Sequence, residues 1–272
     1  MKGLKDRIVV VTGAGSGNGR AITRRLVAER AVVVACDVNA DGLAETASLA
    51  DGPGELVQEL CDVSSEASVV ALFEKVDDLG DVGAVVAQAG VIFGRPFHEM
   101  PVDEWDRQMA VDVTGTFLCL REAVKRMARS GGGSLVTMSG TYAHQAQPGV
   151  AGSVTAKAAI AGLTRAVAVE YGHLGIRCNA ISPGMVETPM IRAFYERKGL
   201  LTDEQQAAIL SLHAMNRLAK PEEIAAMAAF LCSDESAFCN GQVIHVDGGQ
   251  TAGLGMRHMQ KLTGVEWLEV DL

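Results

Sequence analysis

Seven short apolar runs recur along the chain, most of them separated by enough residues to form a helix. They are RIVVVT (7–12), AVVVAC (31–36), ELVQEL (55–60), GAVVAQ (83–88), SLVTMS (134–139), IRCNAIS (176–182) and QVIHV (242–246). Most are β-branched and apolar at successive positions, the pattern of strands covered on both faces. Between them GRAITRRLVAER, EASVVALFEKVDDL, DEWDRQMAVDVTGTFLCLREAVKRMARS, AKAAIAGLTRAVAVEYG and PEEIAAMAAFLCS carry apolar residues at helical spacing. Strand-helix alternation requires right-handed crossovers, so the expected fold is α/β with a doubly wound parallel sheet. With 272 residues and 48% apolar composition, one domain can bury a full core. The long departure at 189–214 is amphipathic and reads as a substrate lid on a domain spanning 1–250. The tail 251–272 exceeds what the sheet needs, and Trp267 and Leu268 predict that it docks on the subunit or a neighbour.

Bulk charge and composition exclude several function classes. A formal charge of −9 repels both a nucleic-acid backbone and an anionic membrane surface. No apolar run approaches the roughly 20 residues that span a bilayer. The start, MKGLKDRIVVVTG, goes directly into the first strand and lacks a secretory pattern, so a cytoplasmic location is expected. Six cysteines are scattered without a CxxC pair and six histidines without HxxxH spacing. These read as small buried thiols and ordinary histidines, with no zinc site expected.

The first strand opens into TGAGSGNG (12–19). Gly13 permits the tight turn, Gly17 allows close approach of a pyrophosphate, and Gly19 lets the following helix pack on the strand. Ser16 and Asn18 complete the turn, and the helix start presents free N–H groups to phosphate. Asp37 closes the second strand 18 residues after Gly19. A carboxylate there accepts from ribose hydroxyls and repels a 2′-phosphate, and no Arg or Lys lies between Gly13 and Gly19, so NAD is expected over NADP.

TGAGSGNG, Asp37, CDVS (61–64), SPGMVETPM (182–190), NRLAKPEEIA (216–225) and GQVIHVDGG (241–249) together resemble the short-chain dehydrogenase/reductase family over residues 5–250. The resemblance implies a Rossmann-like seven-stranded sheet, a homotetramer, and a small-molecule alcohol or carbonyl substrate. It also implies that Asp62 and Val63 border the adenine, that Ala89 and Gly90 belong to the turn after the fourth strand, and that Pro183, Gly184 and Thr188 hold the nicotinamide side.

Family members use a tyrosine as proton donor, a lysine four residues later on the ribose, a serine thirteen residues before the tyrosine, and an asparagine on an earlier helix. Here Lys157 is present, but the other three positions read Ser153, Gly140 and Asp112, and Gln88 replaces an amide in AQAG. An aliphatic hydroxyl is a far weaker acid than a phenol and is shorter by a ring, so Ser153 cannot replace the tyrosine. Tyr171 ends the helix that holds Lys157, about 20 Å away. Tyr142 and His144, in the loop after the fifth strand, are the candidate donors, with Ser139 a candidate hydrogen-bonding hydroxyl. Asp112 is a candidate ion-pair partner of Lys157, and Ser153 with Lys157, sharing a helix face, admits a serine-lysine nucleophile. Three functions stay open at this point. They are an NAD-dependent oxidoreductase with a relocated acid, a dehydratase- or isomerase-type enzyme using the same pocket, and a catalytically silent NAD-binding partner subunit.

Overall fold

A computed structural model describes residues 1–199, 202–253 and 258. Seven parallel strands form its sheet: β1 (Ile8–Thr12), β2 (Val32–Asp37), β3 (Glu55–Leu60), β4 (Val82–Ala87), β5 (Gly133–Met138), β6 (Ile176–Pro183) and β7 (Val243–Val246). Their order, β3-β2-β1-β4-β5-β6-β7, is doubly wound, and each expected strand is present within a residue or so of its expected bounds. Successive side chains of a strand point to opposite faces. Val9 and Val11 of β1 accordingly join one apolar layer with Ile22 and Leu26 of α1 (Gly17–Ala28) and Ile224 and Ala228 of α9 (Pro221–Cys232). Ile8 and Val10 join the other, with Phe73 of α3 (Glu66–Leu79) and Cys119 and Met127 of α5 (Gly115–Met127). Five of the six cysteines are buried, in keeping with their reading as small apolar residues.

Two elements differ from the sequence reading. Helix α2 (Ala40–Leu49) was not expected, because ADGLAETASL has a narrow apolar stripe. It starts where the Asn39 side chain accepts from the Gly42 amide. The segment read as one helix over 103–130 is three pieces: α4 (Val102–Gln108), a π-helical stretch (Met109–Thr114) and α5. A wider π turn rotates later side chains out of α register, and such turns concentrate at functional sites.

Between β6 and α9 the expected lid region contains α7 (Pro189–Lys198) and α8 (Asp203–Leu210), capped by Thr188 and Thr202. The long Ala-rich α6 (Ala151–Tyr171) carries Lys157. The tail beyond 253, apart from His258, lies outside the described residues, and with it the expected docking. Among the described residues no helix is long and apolar enough to cross a membrane. Strand order reverses between β1 and β4, so a crevice opens at the carboxyl ends of these strands, where ligands bind in this architecture.

Candidate active site

Steric demand fixes the glycine turn at the top of β1. Gly13 and Gly17 have φ of +67° and +50°. A Cβ on Gly19 would lie 2.0 Å from the Gly13 carbonyl oxygen, so only glycine lets α1 seat against β1. Thr12 Oγ1 accepts from the amides of Gln88 and Ala89 at 3.0 Å each and ties the β4 turn to the β1 turn. Asp37 sits beside this turn, its carboxylate held by the Gly15 amide (2.9 Å) and the Asn39 amide (3.0 Å). A carboxylate has about four acceptor positions, so two remain for ribose hydroxyls. Arg20, one residue past the last glycine, is committed behind the turn, donating to the Gly15 carbonyl and to Glu45 at 2.7 Å. Asp62 accepts from the Ser64 hydroxyl (2.6 Å) and amide (2.9 Å), which holds its carboxyl below the usual range. Ser16 is exposed at the start of α1 and Val63 is buried beneath the adjoining edge.

The crevice continues into a cleft with about 870 Å³ of empty space, including its open mouth. Asn18, Gln88, Gly90, Pro183, Gly184 and Thr188, expected at the cofactor, are part of its lining. Asp112, Ser139, Gly140, Tyr142, Ser153 and Lys157, at or near the positions where the family carries its catalytic groups, line it too. Ile92, Met185, Met190 and Ile191 close the remainder.

Asp112 stands on the π turn and is 1% exposed. Its Oδ1 accepts from the Val91 amide at 2.8 Å, and its Oδ2 lies 3.5 Å from Lys157 Nζ, which also donates to the Met138 carbonyl at 3.1 Å. The expected ion pair is therefore present. Ser139 donates to the Lys157 carbonyl at 3.0 Å and so acts on the backbone of α6. The Ser153 hydroxyl accepts from Gln108 Nε2 at 2.8 Å, and the same nitrogen donates to the Val91 carbonyl at 3.0 Å. Its partner is thus a buried amide rather than Lys157, which leaves the serine-lysine arrangement unassembled. Gly140 has extended backbone, and a Cβ there would meet Lys157 Cγ at 3.5 Å, an ordinary contact, so a side chain is missing rather than forbidden.

The two candidate donors separate. Tyr142 is half-buried in a short 3₁₀ turn (Thr141–Ala143) and lines the cleft, and burial pushes its phenol up. His144 is exposed and outside the lining. Its ring packs edge-on against His245 with centroids 4.7 Å apart, so its expected place at the substrate is not what the fold provides. Sequence reasoning missed Gln108, Tyr195 and His213. Tyr195 of α7 donates to Met185 Sδ at 2.8 Å and is pushed up to about 12 by burial. Gln108 precedes Asp112 by four residues, and that helical spacing was the available signal.

Within the cleft, Asn18 Oδ1 and Gln88 Oε1 are buried without partners. Unmet buried acceptors are rare and mark a place for a donor. Together with the glycine turn and the Asp37 carboxylate, they fit a dinucleotide. A family profile described as enoyl-(acyl carrier protein) reductase matches residues 13–251. The chain belongs to the short-chain dehydrogenase/reductase family. It is similar to cis-4-hydroxycyclohexanecarboxylate dehydrogenase of Sinomonas cyclohexanicum, at 37% identity over 250 residues covering 91% of this chain and 97% of that one. Levodione reductase of Leifsonia aquatica is 34% identical over 253 residues, covering 91% and 95%. A crystal structure of levodione reductase superposes with a TM-score of 0.88 at 32% identity, covering 92% of this chain and 99% of its own. The ligand-free aldohexose dehydrogenase of Thermoplasma acidophilum gives 0.82 at 30%, covering 92% and 96%. The short-chain dehydrogenase is thus an NAD(P)-dependent oxidoreductase acting on small alcohol or carbonyl substrates, which is the oxidoreductase class among the three functions left open by the sequence.

Proposed function

We propose that this short-chain dehydrogenase prefers NAD, works most readily as a carbonyl reductase near neutrality, and takes its proton from Tyr142 instead of Ser153. The observation that carries this reading is the division of hydroxyls in the cleft, with Ser153 bound to Gln108 and Tyr142 on the lining. When bound, the nicotinamide supplies the hydride. The protein has to deliver the proton and stabilise developing charge on the substrate oxygen. An aliphatic hydroxyl is a far weaker acid than a phenol, whose pKa is about 10. That difference in proton-transfer driving force favours Tyr142 over Ser153.

Burial raises the Tyr142 phenol further, so it is protonated at neutral pH and ready to donate. The reverse reaction requires the phenolate, which is scarce there. Lys157, anchored by Asp112 and the Met138 carbonyl, would hold the ribose and place its charge near the reacting centre. Asp37 supports NAD over NADP through its free acceptor positions and its charge. The matched proteins do not by themselves decide between the two, since a Beutenbergia cavernae protein superposing at 0.86 and 33% identity was crystallised with NADP. The test is NADH consumption with a panel of neutral ketones. A Tyr142→Phe enzyme that keeps full turnover would overturn the assignment of the proton.

Assembly is read as a homotetramer built on α5 and α6. Val169 of α6 is 85% exposed, Ala158, Ala159, Gly162 and Ala166 are exposed on the same helix, and Phe117 of α5 is exposed nearby. Small residues allow such helices to approach a second copy closely. Phe238 is fully exposed on another face. Five buried free thiols accord with a reducing compartment and so with the cytoplasm. A monomeric mass in solution would refute the assembly.

A further inference from the structure

The strip 183–188 forms one wall of the cleft, and most of its amide bonds end on backbone. Gly184 donates to the Val246 carbonyl (3.1 Å), Glu187 to Ala219 (2.9 Å) and Thr188 to Val186 (2.8 Å). Met185 differs. Its amide donates to the imidazole Nε2 of His213 at 3.1 Å, a contact between residues 28 apart in sequence. His213 is 2% exposed. The chain leaves the strip at Thr188, whose side chain caps α7, runs through α7 and α8, and returns at His213 to bind the strip again. The return is anchored, because Met215 donates to the Gly248 carbonyl and Asn216 to the His213 carbonyl. Gly184 makes room for the ring, since a Cβ there would lie 3.0 Å from Nε2.

We propose that His213 is the positioning residue of the nicotinamide-side strip, and that its protonation in acid releases Met185 and weakens dinucleotide binding. The inference rests on the reading that the strip 183–188 holds the cofactor. A neutral imidazole with its proton on Nδ1 presents Nε2 as acceptor, whereas an imidazolium presents N–H at both nitrogens and cannot receive the Met185 amide. Burial keeps the ring neutral near pH 7 by lowering its affinity for a proton. His213 also lines a second cavity with Arg217, Glu223, His245 and Asp247, and the Leu210 and Ile209 backbone favours the protonated ring. Arg217 is paired with Glu223 through contacts of 2.6 and 2.7 Å. The Asp247 carboxylate accepts from Thr251 and Gly249 and favours the protonated ring, against the larger effect of burial. Glu187 lies on the strip itself.

The experiment measures NADH affinity of the full chain by fluorescence from about pH 8 to about pH 4.5, a range carried below ordinary imidazole titration because burial lowers the ring's affinity for a proton. Wild type is expected to lose affinity several-fold toward acid. His213→Gln places an untitratable acceptor near Nε2, so its affinity should stay flat with pH while its thermal midpoint stays near wild type. His213→Leu should bind about tenfold more weakly throughout, the scale of an unmet buried amide. An acid loss in His213→Gln equal to that of wild type would overturn the proposal, as would wild-type affinity in a folded His213→Leu at about pH 8. If wild type bound no NADH at any pH, the dinucleotide reading would fall first and the role of His213 with it. Should the leucine variant fail to fold, the pH slope of the glutamine variant decides alone.

Discussion

Ser153→Ala separates a structural hydroxyl from a catalytic one. Ser153 is 3% exposed, and its oxygen receives one N–H of a Gln108 amide that is itself fully buried. Truncation leaves that N–H unmet while the bond to the Val91 carbonyl remains. A buried donor without a partner costs about 1–3 kcal/mol. In a domain of this size each kcal/mol lowers the melting point by roughly 2–4 °C, so a fall of roughly 2–12 °C is expected. Turnover, measured as NADH consumption below the melting range, should stay within about twofold, because no proton passes through Ser153. Adding Gln108→Leu to Ser153→Ala removes the unmet N–H but strips the Val91 carbonyl of its donor, so it should recover only part of the stability. Tyr142→Phe should do the opposite, leaving the melting point close to wild type and reducing turnover by about 10²- to 10⁴-fold. If Ser153→Ala loses a hundredfold in turnover at an unchanged melting point while Tyr142→Phe stays active, the proton is misplaced and the serine-lysine pairing must be reopened.

Because burial raises the Tyr142 phenol, reduction at saturating NADH should run at a constant rate through neutrality and fall as pH rises through that raised value. Oxidation of the product alcohol should climb with pH over the same range, and a pH-rate profile in both directions checks the sign. Lys157→Met leaves the Asp112 carboxyl at 1% exposure without its ion-pair partner, and should cost on the order of 2 kcal/mol after allowing for the lysine's partial exposure. Adding Asp112→Asn should restore most of that in thermal melts without restoring NADH affinity. Asp37→Ala should narrow the preference for NADH over NADPH by about tenfold in parallel titrations, the worth of one charged hydrogen-bonding group. Val169→Glu on the exposed face of α6 should reduce the proposed tetramer to a smaller species by light scattering, with its melting profile showing a folded subunit.

The sheet is legible in the sequence because both its faces are buried. Apolar β-branched runs such as IVVVT leave no other environment for themselves, and the glycines at 13, 17 and 19 admit a single backbone path. Asp37 was legible for a related reason, since strand geometry places the residue ending β2 beside the turn ending β1. Ion pairing between Asp112 and Lys157 was readable from residue type within the family pattern. What the sequence could not hold was direction. Tyr142 and His144 are two residues apart in one loop with similar claims, and only the fold turns the phenol to the cleft and the imidazole against His245. The π turn at 109–114 has the apolar spacing of an ordinary helix, because periodicity does not register one widened turn. Gln108 reaching Ser153 across 45 residues, and His213 reaching Met185 across 28, are contacts made by elements distant in the chain. Local sequence determined the strands, the turn and the carboxylate beside that turn, because each is set by neighbours a few residues away or by the strand they end. The tertiary packing alone decided which hydroxyl lines the cleft and which is held by a buried amide, because that depends on how α4, α6 and the loop after β5 meet.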